Sequence, residues 1–424
     1  MAGFHEAMIH RCRLFAIVTG LCLTLISCTG RTLDTSVGLG RVTGSNRMIA
    51  EVETVTESHW TGGNRIETLI NGDRYFSAML EAVRSAKKTI TFEAFVLIEA
   101  ECTRDLCRAL AERARSGVEV NVIVDWVGSR RIGDGNVALM KEAGVDFHFY
   151  RPMPTLRFLH FNERTHRKSL VVDGVLGFTG GAGYAYVWEG DTRNENEWRD
   201  TMYRLKGPIV TQLQRVFTEN WKELTGEELS GESYFPQARR AGSTRALVVK
   251  DSAAQRSQPL AHGVLQAINS SQKELLLEQS YFIPDERFRA ALIAAEKRGV
   301  DVQIIMADAK IDSQQSRFAS QNHWKELLEG GVRLFEYKPS MMHNKLIVAD
   351  GRYAIVGSGN LDPRSFFIND EANLHVMDVG FAREQRAMFF QDRARCAEVT
   401  LETLPQTLAP GWKRFVARVL EPQL

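Results

Sequence analysis

Two short stretches of the sequence, HRKSLVVDG at residues 166–174 and HNKLIVADG at residues 343–351, decide the fold and the chemistry that we expect. Each stretch begins with a His and a Lys two residues apart, continues through an apolar run and ends in an Asp-Gly pair. On a β-strand, residues i and i+2 point to the same face, so each His stands beside its Lys. A single pair of this kind is typical of a solvated surface, but two similar pairs in one chain indicate a shared site.

The acidic residue of each stretch has a different role. Asp173 and Asp350 lie seven residues after the His, an odd spacing that turns them to the other face of a continuing strand. An Asp-Gly pair flanked by apolar residues is also a strong signal for a hairpin turn. We therefore interpret both Asp residues as mainly structural.

The segments around the two stretches are repeated in the same order. AVRSAKKTITFE at residues 82–93 matches AINSSQKELLLE at residues 267–278, and ALAERARSGVEVNVIV from Ala109 matches ALIAAEKRGVDVQIIM from Ala291. This repeat is too long for a solenoid unit and indicates two similar domains. Strands that alternate with helices predict a mixed sheet with helices packed on it.

The catalytic residues that we expect are His166, Lys168, His343 and Lys345. A pseudo-twofold axis between the domains brings two imidazoles and two ammonium groups to one site, which suits an anionic phosphodiester. The lysines neutralise phosphate oxygens, His166 attacks phosphorus to form a phosphohistidine, and His343 protonates the leaving alkoxide. This scheme requires no metal or cofactor, and the cysteines and histidines do not have zinc-ligand spacing. We predict neither.

The doubled motif resembles the signature of the phospholipase D superfamily, and the resemblance covers nearly all of the chain after its leader. It implies an α/β fold of two phospholipase D-like domains, each a mixed β-sheet flanked by helices, with one active site at the pseudo-twofold interface. We place these domains at residues 64–235 and 245–400. The resemblance also implies that Asp200 and Glu371 are catalytic as orienting partners of the two histidines.

The element Gly357-Ser-Gly-Asn360 resembles the phosphate-binding element of that superfamily. It implies that Ser358 and Asn360 bind the substrate by donating hydrogen bonds to phosphate. The corresponding segment of the first copy, residues 180–183, supplies no side-chain donors. The backbone N–H groups of Gly180 and Gly181 bind phosphate there, or this segment is a tight glycine turn against the sheet.

Within the superfamily, the sequence is most similar to two-motif bacterial cardiolipin synthases. This similarity implies transfer of a phosphatidyl group to phosphatidylglycerol through a phosphohistidine. Hydrolysis of phospholipid to phosphatidic acid is the alternative, and a superfamily nuclease is a further one. A net charge of +1 argues against a nucleic-acid partner. The residues that carry the similarity are Asn71–Asp73, Asp125–Ser129, Thr165–Lys168, Gly177–Gly181, Trp198–Thr201 and Asn360–Ser365.

Residues 1–28 form a leader that targets the protein for export. Arg11 and Arg13 precede an apolar run, Leu14–Ile26, that is too short to span a bilayer. Its end, residues 25–28, resembles a lipoprotein cleavage site, which implies a lipid-bearing Cys28 and a membrane-anchored protein facing the periplasm. An ordinary signal peptide and an uncleaved anchor are the alternatives. Residues 29–63 are polar and are interpreted as a spacer.

Two segments favour a membrane surface and an anionic phospholipid, phosphatidylglycerol, as partners. Residues 151–160 interleave basic and apolar side chains before the first motif. Residues 405–424 place Trp412, Phe415 and Val419 on one helical stripe with basic residues around it, which predicts an interfacial amphipathic helix. Ordinary packing onto the domain surface is the alternative for both.

Overall fold

The computed structural model describes residues 45–152, 162–252 and 258–424. The predicted leader with Cys28, and most of the segment 151–160, lie outside these residues. The described residues contain fifteen strands: β1 Thr61–Ile70, β2 Thr89–Ala94, β3 Glu119–Asp125, β4 Asp146–Tyr150, β5 Ser169–Val172, β6 Leu176–Gly180, β7 Thr201–Lys206, β8 Thr244–Asp251, β9 Glu274–Gln279, β10 Asp301–Ala307, β11 Arg333–Tyr337, β12 Lys345–Ala349, β13 Tyr353–Gly357, β14 Glu371–Met377 and β15 Cys396–Val399.

Helices connect and cover these strands. In the described residues they are α1 Ser45–Thr56, α2 Gly72–Ser85, α3 Glu101–Arg115, α4 Trp126–Ser129, α5 Asp134–Glu142, α6 Ile209–Thr225, α7 Pro259–Ser270, α8 Glu286–Lys297, α9 Gln314–Ser320, α10 Trp324–Glu329, α11 Pro363–Phe367, α12 Val379–Arg393, α13 Leu404–Thr407 and α14 Gly411–Leu420. None of the helices in the described ranges is long and apolar enough to span a membrane.

The strands form one sheet with an internal symmetry. Their order is β15-β11-β10-β9-β12-β13-β14-β8-β1-β7-β6-β5-β2-β3-β4. From the β8–β1 pair outward, the first half has the order β1-β7-β6-β5-β2-β3-β4, and the second half has the equivalent order β8-β14-β13-β12-β9-β10-β11. Strand β15 is added at the edge of the second half. In each half three strands pair in parallel and the others pair antiparallel. The predicted mixed α/β fold with two similar halves is confirmed.

One of the apolar clusters of the core spans both halves. One cluster of buried side chains includes Val171 and Leu205 of the first half together with Leu346 and Leu374 of the second. Helix α6 packs on strands of the first half and also on β8 of the second. The predicted domain boundaries at residues 235 and 245 stay a prediction.

The predicted spacer, residues 29–63, is wrong over the residues that the structure describes. Residues 45–56 form α1, and Thr61 begins β1. Val52 and Val55 are buried, and α1 packs against α7. Although the composition is rich in Thr and Ser, Val52 and Val55 are three residues apart, which places them on one face of a short helix.

Candidate active site

The two motif segments are held in place by short pairings between the halves. Just before the first motif, Thr165 forms a parallel bridge with Asp370, which precedes β14; before the second, Met342 bridges Arg199, which precedes β7. The backbone N–H of His166 donates to Asp370 O at 2.9 Å, and that of His343 donates to Arg199 O at 2.8 Å. Each His is therefore attached to the strand start of the opposite half.

This crossing decides which carboxylate each His meets. His166 Nδ1 lies 2.8 and 3.0 Å from the two carboxylate oxygens of Glu371. His343 Nδ1 lies 2.6 Å from Asp200 Oδ2. Both predicted acidic residues thus contact a motif histidine, and each comes from the other half of the chain. A carboxylate on Nδ1 leaves Nε2 as the nitrogen that can react.

The two carboxylates are held by different donors. Asp200 accepts from the indole N–H of Trp188 at 3.0 Å and from the backbone N–H of Thr201 at 2.8 Å. Glu371 accepts from the hydroxyls of Ser358 at 2.5 Å and Ser365 at 2.9 Å. Sequence reasoning missed Trp188 and assigned no role to Ser365, although Ser365 ends one of the segments that carry the family resemblance.

The hydroxyl of Ser358 contacts the carboxylate of Glu371 and the start of β14. Its proton is directed at Glu371, and its oxygen accepts from the Ala372 N–H at 3.0 Å. Here the single hydroxyl proton of Ser358 is directed at the carboxylate, and its predicted contact with phosphate stays a prediction. Asn360 lines the same cavity as Lys345, and its buried Oδ1 has no hydrogen-bond partner among the described residues.

The two glycines of the first copy allow a close approach of β7. A Cβ atom at Gly180, where φ is +155°, would lie 2.4 Å from Thr201 O, and one at Gly181 would lie 2.3 Å from Asp200 Oδ1. The Gly181 N–H donates to Thr201 O at 3.1 Å, so it is not directed at a phosphate. Of the two interpretations, the tight turn fits this geometry.

Burial and charge lower the pKa of both histidines. For His166, burial is the largest cause, followed by the charges of Lys168 and Lys345, and the pKa lies well below its ordinary value. For His343, burial and Lys345 lower the pKa to about 4. The charge of the lysine in the opposite motif also lowers the pKa of each imidazole, so the four groups share one electrostatic environment.

The two carboxylates shift in opposite directions. Burial raises the pKa of Glu371 above its ordinary value despite the nearby charge of Lys168. Burial also opposes ionisation of Asp200, but His343, Lys345 and the Thr201 N–H outweigh it and hold the pKa of this carboxyl below its ordinary value. The carboxyl beside His343 is therefore the more readily ionised of the two.

The lysines have unlike surroundings. Lys345 Nζ donates to Ser280 Oγ at 2.9 Å and to His343 O at 2.6 Å. Lys168 Nζ donates to His166 O at 2.6 Å and lies 5.7 Å from the ring centre of Phe95, which occupies the repeat position of Ser280. Burial is the main cause that lowers the pKa of Lys168 to about 7 and that of Lys345 to about 8.

The aromatic surroundings differ as well. The ring of His343 is stacked on Trp198 at 5.4 Å between centroids and has edge contacts with Trp188 and Tyr281. Within the part of the chain that the structure describes, His166 has one edge contact, with Phe95 at 5.1 Å. These described aromatic rings therefore enclose His343 more than His166.

The motif aspartates lie at the far end of each hairpin. Asp173 accepts from the backbone N–H groups of residues 87, 88 and 89 at 2.7–3.1 Å. Asp350 accepts from those of residues 272, 273 and 274 over the same range. Both have a positive φ, 52° and 53°. Each Asp ties its hairpin to the segment that leads into the parallel strands, as a structural role requires.

Comparisons with known proteins agree with this architecture. A family described as "Cardiolipin synthase, PLD-like domain" matches residues 79–221 and 264–393. Cardiolipin synthase A of Pseudomonas aeruginosa (strain LESB58) is 34% identical over 82% of this chain and 71% of its own. Cardiolipin synthase of Geobacillus sp. (strain WCH70) is 31% identical over 84% of this chain and 72% of its own.

Solved structures show the same fold at low sequence identity. Phosphatidylserine synthase of Haemophilus influenzae Rd KW20 aligns over 89% of this chain and 100% of its own, with a TM-score of 0.67 at 14% identity. Polyphosphate kinase of Porphyromonas gingivalis aligns over 80% of this chain and 49% of its own, with a TM-score of 0.53 at 15% identity. Taken with the sequence matches, these results place the chain in the cardiolipin synthase family of phospholipase D-type enzymes.

Proposed function

We propose that this protein transfers a phosphatidyl group from one phosphatidylglycerol to the hydroxyl of another, forming cardiolipin and glycerol. The observation that carries the proposal is the pair of histidines, each on a carboxylate of the other half and each beside a buried lysine. The choice of lipid is supported by the named relatives, which are cardiolipin synthases.

In the first step, Nε2 of His166 attacks the donor phosphorus. The P–O bond to the departing glycerol breaks, and its alkoxide takes a proton from Nε2 of His343. Lys168 and Lys345 neutralise the phosphate oxygens, and the amide of Asn360 donates to the same group. The product of this step is a phosphatidyl group on His166 and free glycerol.

In the second step, the hydroxyl of the acceptor lipid attacks the same phosphorus. Its proton goes to His343, the N–P bond breaks, and His166 returns to its neutral form. Within the substrate complex, His343 is protonated before the first step and again after the second, so protons balance over the two steps. Water in place of the acceptor gives phosphatidic acid, and exclusion of water therefore decides between transfer and hydrolysis.

The electrostatics support this division of roles. A nucleophile must be a neutral imidazole, and the pKa of His166 lies well below its ordinary value. A proton donor needs a neighbouring negative charge, and Asp200 at 2.6 Å from His343 has a lowered pKa. The free site keeps His343 neutral, since its pKa is about 4. An anionic phosphate offsets the two lysine charges, so we expect His343 to gain its proton as substrate binds.

Incubation of the purified protein with phosphatidylglycerol, followed by mass spectrometry of the lipids, tests the proposal. We expect cardiolipin with an equal amount of glycerol, and no product from His343→Ala as a matched control. Phosphatidic acid alone would show a hydrolase instead. Absence of lipid product together with cleavage of a nucleic-acid substrate would show a nuclease.

The proposed location depends on the sequence of residues 1–28 alone. We propose that the protein is exported and anchored through a lipid on Cys28, on the periplasmic side of a membrane. Metabolic labelling with a radioactive fatty acid tests this proposal. Label is expected in the wild-type protein and not in Cys28→Ala, and equal labelling of both would contradict it.

A further inference from the structure

Helix α14 presents an apolar face to solvent. Trp412 and Phe415 are each 68% exposed, Val419 is 56% exposed and Val416 is 49% exposed. At 100° per residue these four side chains lie within about a third of the helix circumference. Large exposed apolar side chains that form one contiguous face mark an interaction site more often than scattered ones do.

The opposite face of the helix packs on the protein. Ala417 is buried in a small apolar cluster with Ile283 and Ala319. A helix that folds for its own stability turns its large apolar side chains inward and its small or polar ones outward. Here the arrangement is reversed, so ordinary packing, the alternative that the sequence left open, does not account for the stripe.

The helix is held firmly in this orientation. Asn322 Nδ2 donates to Arg414 O at 3.1 Å, and His323 Nε2 lies 2.8 Å from Glu421 Oε1. The Ala409 N–H donates to Gln321 Oε1 at 2.8 Å, just before the helix begins. Rotation of the apolar face toward the protein would break all three contacts.

Positive charge borders the apolar face on both sides. Lys413 and Arg418 flank it on the helix, whereas Arg414 lies on the opposite side and donates to Ala409 O at 3.2 Å. Glu421, the one acidic residue between 411 and 424, contacts His323. An apolar face with a basic border fits the interface of an anionic bilayer, where aromatic rings lie at headgroup level and basic side chains meet lipid phosphates.

The end of this helix contacts the segment that leads into the first motif. Arg364 N donates to Leu424 O at 3.1 Å, and its guanidinium donates to Asn162 O at 2.9 Å. Asn162 Nδ2 also donates to Gln423 Oε1 at 2.6 Å. Asn162 precedes His166 by four residues, so the helix is fastened to the flank of the site.

We propose that the exposed face of α14 docks on an anionic phospholipid bilayer and inserts Trp412, Phe415, Val416 and Val419 into its interface. The docking deepens the proposed function, because it places the site at the surface that holds its substrate. The physical basis, an outward apolar face with a basic border, is independent of the reaction that the site catalyses.

Hydroxyl-radical footprinting of the full chain, read by mass spectrometry, tests the docking directly. Vesicles of phosphatidylcholine with phosphatidylglycerol should lower the oxidation rate of Trp412 and Phe415 several-fold, and pure phosphatidylcholine vesicles should lower it much less. Val175, which is 54% exposed on the hairpin turn at the far end of β5, is the internal control and should keep its rate. This readout is local, so it does not depend on any other membrane anchor or on activity.

Unchanged oxidation of Trp412 and Phe415 on anionic vesicles would overturn the proposal. Protection that appears without vesicles and rises with protein concentration would also overturn it, because the face would then be an interface between two copies of the chain. Equal protection by neutral and anionic vesicles would overturn the role of the basic border.

Variants separate docking from chemistry. Phe415→Ser and Trp412→Ser change only exposed side chains, and each should lower turnover of vesicular phosphatidylglycerol about tenfold. Arg418→Gln should lower it about fivefold on anionic vesicles. Turnover of a short-chain, monomeric phosphatidylglycerol should stay unchanged in all three, as should both activities in Val175→Ser. Equal losses on the vesicular and the monomeric substrate would contradict a docking role.

Discussion

The two halves of the active site have the same frame, by which we mean the motif strands, their Asp-Gly turns and the bridges between the halves. The side chains around the two histidines differ. In both, a motif aspartate ties the hairpin to the sheet, and a short bridge attaches the motif to the opposite half. The donors that hold the two carboxylates beside the histidines are different. Asp200 is held by an indole and a backbone N–H, whereas Glu371 is held by two serine hydroxyls.

The residues that make the two halves symmetric are therefore not the residues that make the two histidines differ. The frame sets where the imidazoles and ammonium groups lie, and it is repeated because both copies need that geometry. The residues at equivalent positions near the reacting groups, such as Phe95 and Ser280, are not repeated. We propose that they make His166 the better nucleophile and His343 the better proton donor.

Loss of either histidine should have the largest effect and should also separate the two roles. His166→Ala and His343→Ala should each lower kcat/KM on phosphatidylglycerol about 10³-fold or more. A phosphatidyl ester of p-nitrophenol, whose leaving group needs no proton, should restore the first step in His343→Ala but not in His166→Ala. Rescue of both variants, or of neither, would contradict unequal roles.

Replacement of the carboxylates should give the next largest effect. Asp200→Asn and Glu371→Gln should each lower kcat/KM about 10²-fold, because each removes the charge that orients an imidazole. The p-nitrophenyl ester should rescue Asp200→Asn, which acts through the proton donor, and should not rescue Glu371→Gln. The exposed Glu402→Gln serves as the control and should behave as wild type. The reverse rescue pattern would reassign the pairs.

The lysines should set the alkaline limit of activity. Lys168 and Lys345 have pKa values of about 7 and about 8 in the free protein, and only the charged forms neutralise phosphate. As pH rises through these values the ammonium groups are lost, so kcat/KM should fall above about pH 7. Lys168→Arg keeps its positive charge, so the fall of kcat/KM should begin at a higher pH in this variant. A profile that stays flat to about pH 9 would contradict the assignment.

The motif aspartates should change stability with little effect on chemistry. Asp173→Ala and Asp350→Ala each remove an acceptor of three backbone N–H groups, so each should lower the free energy of unfolding by about 1–2 kcal/mol. Urea denaturation measures this loss, and the two values should be similar because the geometry is the same. A loss of activity about as large as that of the histidine variants, in a folded protein, would contradict a structural role.

The smallest effect should come from the residue that distinguishes the lysines. Ser280→Ala removes an acceptor of Lys345 and should lower kcat/KM about threefold at neutral pH. Phe95→Leu, the matched change beside Lys168, should change it less, since a ring face holds an ammonium group less firmly than a hydroxyl oxygen. A larger loss in Phe95→Leu would reverse this ranking of the two lysine sites.

Local patterns in the sequence predict the frame. The His and Lys two residues apart, the Asp-Gly turn and the repeated strand and helix signals are all short-range features, and the fold follows them. The repeated segments at residues 82–93 and 267–278 each lead from the end of a helix into a strand, β2 or β9. Residues 45–56 are the exception, because composition concealed a short amphipathic helix.

Contacts between the halves are beyond such patterns. That Glu371 meets His166, 205 residues earlier, depends on how two bridges cross the interface. That Ser358 donates to Glu371 depends on the length of the glutamate side chain. At the equivalent position the first half has Gly181, which lies against the shorter Asp200. These are distances in space, and the spacing of residues along the chain does not encode them.

The most direct test of the central claim is to trap the covalent intermediate. His343→Ala incubated with the p-nitrophenyl phosphatidyl ester, quenched and digested under alkaline conditions, should yield a peptide with the phosphatidyl group on His166, and His166→Ala should yield no modified histidine. A phosphatidyl group on His343 in the His166→Ala protein would contradict the proposed order, and unmodified peptides from both active-site variants would contradict a phosphohistidine route.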